Sequence, residues 1–456
     1  MCNPQGNVGV VVGIRYRARR IDAPGPWSLR SRRGRRFLAS LLFFGLALSL
    51  SAAGVLAEDS HVLALDEALA LASREQPQIE ELDLLREAAL EAARAERELP
   101  DPKLAFAAQN VPATGADAFR FDRDEMTMLS IGVMQDIVRR DKREASSAGM
   151  TFEAARLAAE AETARREIRR EAAFAWLDAF EAQRRASALR ALAAEMAAEH
   201  EISSKLLAAG SGTASAVLAL DAEVSKLRDE LIVAERDEAR ARAALSRWIG
   251  EHALRPFPEH LPHDHSAPAA ATKVSDSLID AHPMVVSAAR AMDVARQQAG
   301  RARAERRADW GWQLMYGRRQ DLPDMVSLQV TVGLPLNRSD RQDRRVAETL
   351  ARAGAARAQM WDRRRRLAAE LAAARADLDA SAARLREHEE HMSPAAHARL
   401  QTAQASYAGG RGTLLDVWRA RRALVEVSLH HDMIMVDRLR ATARLQWLLG
   451  GEEVAP

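Results

Sequence analysis

The sequence predicts a mainly α-helical protein with a small β part, in which one unit of helices, a β-hairpin and a long antiparallel helical hairpin occurs twice. Three observations lead there. Gly210-Ser-Gly-Thr213 recurs as Gly410-Arg-Gly-Thr413, and at the same shift of 200 Val217 is echoed by Val417, Leu245 by Leu445 and Gly250 by Gly450. No proline occurs from Ala113 to Arg255, and only Pro394 falls between Leu336 and Ala455. Proline breaks helix interiors, so both stretches can hold very long helices. Between the helical runs, four short segments alternate apolar with polar or small residues, the period of a strand with two unlike faces.

Taken in order, residues 1–57 read as a signal peptide preceded by an extension with no readable role. Arg30-Ser-Arg-Arg-Gly-Arg-Arg36 supplies the basic start, Phe37 to Leu50 the apolar run, and Val55-Leu56-Ala57 a small-residue cut site ahead of Glu58. This segment holds nine of the 66 basic residues and one of the 64 acids, so the formal charge of +2 becomes −6 without it. A nucleic-acid partner resting on bulk basicity is therefore not predicted. With 48% hydrophobic and 29% charged residues the chain is neither disordered nor fibrous, and its single cysteine, Cys2, excludes an intramolecular disulfide and a multi-thiolate metal site.

Residues 58–255 form the first repeat: helices, a β-hairpin over 103–137, and a long helical hairpin over 141–250. In its first rod Leu157, Ala161, Ala164, Ile168, Ala172, Ala175 and their successors to Met196 step by three or four, a seam rich in alanine that lets helices approach closely. Glycines at Gly210 and Gly212 suit a stop and reversal. A Pro- and His-rich linker over 256–272 leads to the second repeat, 273–450. There Gln76-Pro77 is echoed by His282-Pro283 and Ala93-Arg-Ala-Glu-Arg97 by Ala302-Arg-Ala-Glu-Arg306. A β-hairpin is expected over 310–336 and a helical hairpin over 340–449, kinked near Pro394, with a short tail at 451–456.

The strands carry the functional reading. Val326, Leu328, Val330, Val332 and Leu334 alternate with Ser327, Gln329, Thr331 and Gly333, and Leu129, Ile131 and Val133 alternate with Ser130, Gly132 and Met134. One apolar and one polar face over roughly nine residues, with aromatics near an end, suits a barrel strand between lipid and a watery lumen. No stretch after Ala57 approaches the ~18 apolar residues of a transmembrane helix. Four strands leave two raw edges, which lipid does not tolerate, so several copies must share one barrel; three would supply about twelve strands. The alternative is a periplasmic coiled-coil adaptor whose strands form a soluble sheet.

On these residues the chain resembles the outer-membrane efflux protein family, the TolC-like exit ducts, over Leu63 to Gly450. Leu99-Pro-Asp-Pro-Lys-Leu104, Asn110-Val-Pro112, Met126-Thr-Met, Gly132-Val-Met-Gln-Asp136 and Asp141-Lys-Arg143 are similar to the heavy-metal, CzcC/CusC-type branch. The resemblance implies a homotrimer with a 12-stranded transmembrane β-barrel and a periplasmic α-helical barrel. It also implies docking on a periplasmic adaptor (membrane fusion protein) and an inner-membrane RND-type pump, and export of heavy-metal cations such as copper and silver or cobalt, zinc and cadmium. Gly210, Gly212, Thr213, Gly410, Gly412 and Thr413 match the family's adaptor-docking tips. Asp416 falls where members carry an acidic ring at the closed tip, while Arg419 and Ala216 stand where further acids would strengthen it. No lipid anchor is expected, because Glu58 rather than cysteine opens the mature chain.

No cofactor is predicted, and no catalytic constellation stands out, so no enzyme. His260, His263 and His265 are the candidates for a divalent cation, but their irregular spacing in a Pro-rich linker reads as solvated chain. Met126, Met128 and Met134 share one strand parity on the lumen face, where thioethers are soft ligands and also ordinary filler. His388-Glu-Glu-His391 lacks the spacing of a zinc-protease helix, and His430-His431-Asp432 reads as helix surface and packing.

Overall fold

A computed structural model describes residues 62–74, 76–211, 213–261 and 276–449. The leader, Gly212, His263, His265 and the tail lie outside them. Helices α1 (Leu65–Ala72) and α2 (Pro77–Ala95) precede strands β1 (Lys103–Gln109) and β2 (Met128–Ile137), then α3 (Arg140–Ala208) and α4 (Ala214–Ile249). The second series runs α5 (Asp276–Asp280), α6 (Pro283–Ala304), β3 (Trp310–Arg319), β4 (Met325–Val332), α7 (Asp343–Glu387), α8 (Ser393–Ala408) and α9 (Leu414–Leu449). The fold is mainly α with a small antiparallel β part, as the patterning predicts.

At 69 residues α3 is a rod of about 100 Å. Most of its alanine seam is buried, from Leu157 to Met196; only Ala182 and Ala193 along it stay half-exposed. Small side chains on one stripe let α2, α4, α6 and α9 all pack along this one helix. Half-way along, the seam gives way to bulk. Trp176 and Phe180 stack at 5.6 Å, and Phe257 meets Trp176 edge-on at 5.4 Å. Trp176 Nε1 donates to the Leu63 carbonyl at 3.1 Å, and the Leu63 amide donates to Pro256 at 2.8 Å. The chain entering α1 and the linker leaving α4 are thus pinned to the same girdle, where each buried large side chain stabilises by roughly 2–3 kcal/mol.

The two hairpins form one sheet, as two raw edges from four strands require: β2 pairs with β3 from Met128↔Arg319 to Ile137↔Trp310, in the order β1-β2-β3-β4. Three details differ from the sequence expectation. Strand β4 ends at Val332, so Leu334 lies beyond it; Pro335 cannot donate to a ladder. Met126 sits in a turn before β2, 64% exposed, and so does not share the strand's lumen face. The second rod is interrupted not at Pro394 itself but at a π-turn over His388–Met392 just before it, which joins α7 to α8.

Candidate functional site

The register turns the sheet into two surfaces. On one, rows cross all four strands: Leu104, Val133, Leu314 and Leu328 in one, and Phe106, Ile131, Tyr316 and Val326 in the next. Trp312 and Val330, in a row whose β2 member is Gln135, then Ile137, Trp310 and Val332, continue it towards the helices. These side chains are exposed although apolar: Phe106 is 73% exposed, Leu328 69% and Leu104 60%. Eight residues separate Leu129 from Ile137, about 26 Å of strand, close to the height of a lipid-facing band. The other surface carries Lys103, Ser130, Gln313, Gln329 and Thr331, with Gly132 and Gly317 giving room for Met315 and Met128 to lie across them. Strands β1 and β4 each pair on one side only, so both edges of this sheet carry unpaired backbone.

Where the sheet meets the helices, the apolar surface stops at a cationic groove of about 570 Å³, walled by Leu99, Ile137 and Trp310. Arg139, Arg140, Arg143 and Arg307 line it with only Asp141 and Glu144 as acids. Arg140 pairs with Glu144 at 2.7 Å and Arg307 with Asp141 at 3.2 Å. The Arg143 guanidinium donates to the backbone carbonyls of Val138 and Arg97. Behind it, Asp309 accepts from Lys142 at 2.6 Å and from the Arg139 amide at 3.1 Å. Burial works against its charge, but these donors win and hold the carboxyl below its usual range.

The far end of the helical hairpins is closed by two equivalent turns. Gly210 (φ +78°) donates to Leu207 and Ser211 to Leu206, each at 3.0 Å. Gly410 (φ +68°) donates to Tyr407 at 3.0 Å and Arg411 to Ser406 at 2.9 Å. Both are left-handed glycine stops of Schellman type, which a side chain at those φ values would strain. The turns then diverge. Thr413 caps α9 in a reciprocal box with Asp416: its amide donates to Asp416 Oδ2 at 3.1 Å, and the Asp416 amide donates to Thr413 Oγ1 at 3.2 Å. The Thr413 hydroxyl and amide hold the Asp416 carboxyl below its usual range, with Arg419 adding to the effect. Thr213 makes no side-chain cap to α4, and Ala216, standing where Asp416 does, offers no carboxylate for the reciprocal half of the box. Beside the tips Trp418 is buried against Leu192, Leu220 and Leu227, and Arg422 bridges to Glu230 at 2.8 Å, fastening α9 to the first hairpin.

Residues 274–451 match the family described as Outer membrane efflux protein. No curated protein matches the sequence at a significant level. Among solved structures, CmeC, the outer membrane channel of Campylobacter jejuni, aligns at TM-score 0.73 with 12% identity, covering 85% of each chain. CusC aligns at 0.71 with 16% identity, covering 85% of this chain and 92% of that one. The outer membrane protein VceC of Vibrio cholerae aligns at 0.67 with 21% identity, covering 85% and 96%. The chain has the fold of the outer membrane efflux proteins.

Within this efflux-protein fold the remaining candidates scatter. Met128 and Met134 lie on the inner surface of the sheet with Met315 and Met325, two positions the sequence reading passed over. His260 is exposed at the start of the linker. His388, buried at the π-turn, bonds through Nε2 to the Val427 carbonyl at 2.9 Å and faces the rings of His431 and His430 at 5.3 and 6.1 Å. Burial, reinforced by Arg384, pushes His430 below the usual histidine range. Among the described residues no three His, Cys, Asp or Glu side chains converge as a metal set. The groove arginines were missed as a site. Their signal was the basic cluster Arg139-Arg-Asp-Lys-Arg143 directly after an alternating strand, with Arg306-Arg307 directly before another.

Proposed function

We propose that this chain is one protomer of a trimeric exit duct in the outer membrane, whose helical hairpins extend through the periplasm to meet an adaptor and an inner-membrane pump. The observation that carries it is the sheet, with a continuous exposed apolar surface on one side, a polar one on the other, and two unpaired edges. Lipid satisfies the apolar surface, and pairing β1 of one copy with β4 of the next satisfies the edges. No described helix is long and apolar enough to cross a membrane, which leaves the strands as the membrane element in this reading. An adaptor without a barrel would leave the apolar surface in water.

Transport through such a duct is passive, and the pump supplies the energy. The tip turns are the docking elements, Gly210, Thr213, Gly410, Gly412 and Thr413 among the described residues and Gly212 beyond them. Three Asp416 carboxylates held ionised around the closed tip would favour cations over anions, moderated by Arg419. Heavy-metal cations are the proposed cargo, on the sequence resemblance to the metal-exporting branch. Deleting the gene should lower tolerance to copper, silver, cobalt, zinc or cadmium salts, restored by the intact chain but not by a Leu328→Arg variant. Unchanged metal tolerance alongside lost tolerance to organic compounds would keep the duct and overturn the cargo. A protein recovered only in the soluble periplasm would overturn the duct.

A further inference from the structure

The groove at the foot of the sheet has no part in the duct reading, and its chemistry is specific. We infer that it binds the headgroup of an anionic phospholipid from the leaflet on the helical side of the barrel, an assignment that rests on the membrane placement proposed above. The first reason is continuity. Ile137 and Trp310 belong to the last row of the apolar sheet surface and are also a wall of the groove, so acyl chains lying on the sheet would bring their headgroup there. A tryptophan at that level is the usual interfacial anchor.

Charge is the second reason. Four guanidiniums face two carboxylates, an excess of two positive charges. Arg140 and Arg307, with side chains 84% and 66% exposed, can turn towards a ligand without uncovering a buried acid. Guanidinium forks match phosphate oxygens in pairs, which makes a phosphodiester a better partner than a carboxylate in a groove already holding two acids. The opposite rim of the sheet shows the reverse bias. Residues 110–127 and 318–325 carry six acids against four arginines, so the excess of positive charge is confined to the helical end. On the inner surface of the sheet at the same level, Lys103 and Asp136 neutralise each other at 2.8 Å. The anion site therefore faces lipid rather than lumen, and its volume of about 570 Å³ accommodates a glycerophosphate head.

The test uses the full-length assembly in mild detergent, titrated with phosphatidylglycerol or with phosphatidylcholine of the same acyl chains, and read by native mass spectrometry. Phosphatidylglycerol should be retained with a preference of about ten-fold or more. The double variant Arg140→Gln/Arg307→Gln should cut that preference to about three-fold or less at unchanged assembly mass. Arg352→Gln/Arg366→Gln, which removes exposed arginines on α7, should leave it intact. Equal retention of the two lipids, or an equal loss in both double variants, overturns the assignment. So does full displacement by soluble glycerol phosphate, which would make acyl contact irrelevant, and so does a groove variant that changes the assembly mass instead, which would mean that a neighbouring copy covers the groove. A soluble monomer removes the membrane placement together with this inference. A membrane-borne assembly indifferent to the headgroup removes this inference alone.

Discussion

The two repeats share one plan but solve it with different chemistry. In the first, α3 is an unbroken rod packed against α2, α4, α6 and α9, with Trp176, Phe180 and most of its alanine seam buried. In the second, the matching rod is interrupted at His388–Met392 and buries few residues along α7, while Leu350, Trp361 and Tyr407 stay exposed. The same contrast recurs at the entry to each repeat. Gln76 stands before α2 without a side-chain cap bond and donates to the Trp248 carbonyl at 3.3 Å; His282 bonds the Trp447 carbonyl at 3.2 Å and also caps α6, its Nδ1 accepting from the Met284 amide. At the tips only the second repeat has the reciprocal Thr413–Asp416 box. The first repeat buries its central girdle within the protomer, although Leu84 on α2 and Leu218 and Ile232 on α4 stay exposed. The second rod leaves a surface for neighbours, the arrangement expected of a subunit that closes a ring.

The largest effect on assembly should come from the sheet. Leu328→Arg on the lipid surface should cost about 2–4 kcal/mol per copy near mid-membrane and abolish recovery in the outer-membrane fraction. Gln329→Arg, one residue along on the inner surface, should assemble normally. Equal behaviour of the two would break the two-faced reading. Next come the rods. Trp176→Ala should destabilise by about 3–5 kcal/mol in denaturant titration. Trp361→Ala, 45% exposed on the second rod, should barely change protomer stability yet weaken the oligomer in dilution experiments.

The entry contacts separate the repeats by pH. Burial, reinforced by the Arg166 guanidinium, lowers the His282 pKa from 6.5 to about 4, against the Trp447 carbonyl. The unfolded imidazole takes up a proton before the folded one, so stability is full above about 6.5 and declines as pH falls towards about 4, by up to roughly 3 kcal/mol. His282→Gln transplants the first repeat's solution and should flatten that part of the pH profile of the unfolding midpoint. The smallest effect belongs to the caps. Thr413→Ala should cost about 1 kcal/mol, and Thr213→Ala distinctly less because its side chain makes no cap bond.

The duplication, the glycine stops and the alternating strands were legible because each is written locally: Gly410 needs a left-handed φ, and Leu328 and Gln329 need opposite faces. Contacts between distant segments were not. Nothing in the sequence announces the register in which β2 pairs with β3, that Phe257 from the linker packs on Trp176, or that His388 meets His431 across a π-turn. Strand parity puts Met126 on the face of Met128, but β2 starts only at Met128 and parity does not hold in the turn before it. The groove arginines were visible as a charge run, but only the fold sets them beside Trp310 under an apolar surface.

The central claim is that one sheet per copy, with two open edges, closes only by sharing a barrel. The most direct measurement is the native protein mass, by light scattering, of the assembly extracted from the outer-membrane fraction in mild detergent. Three protomers are predicted; a soluble monomer, or a membrane-bound species of one copy, would contradict the account.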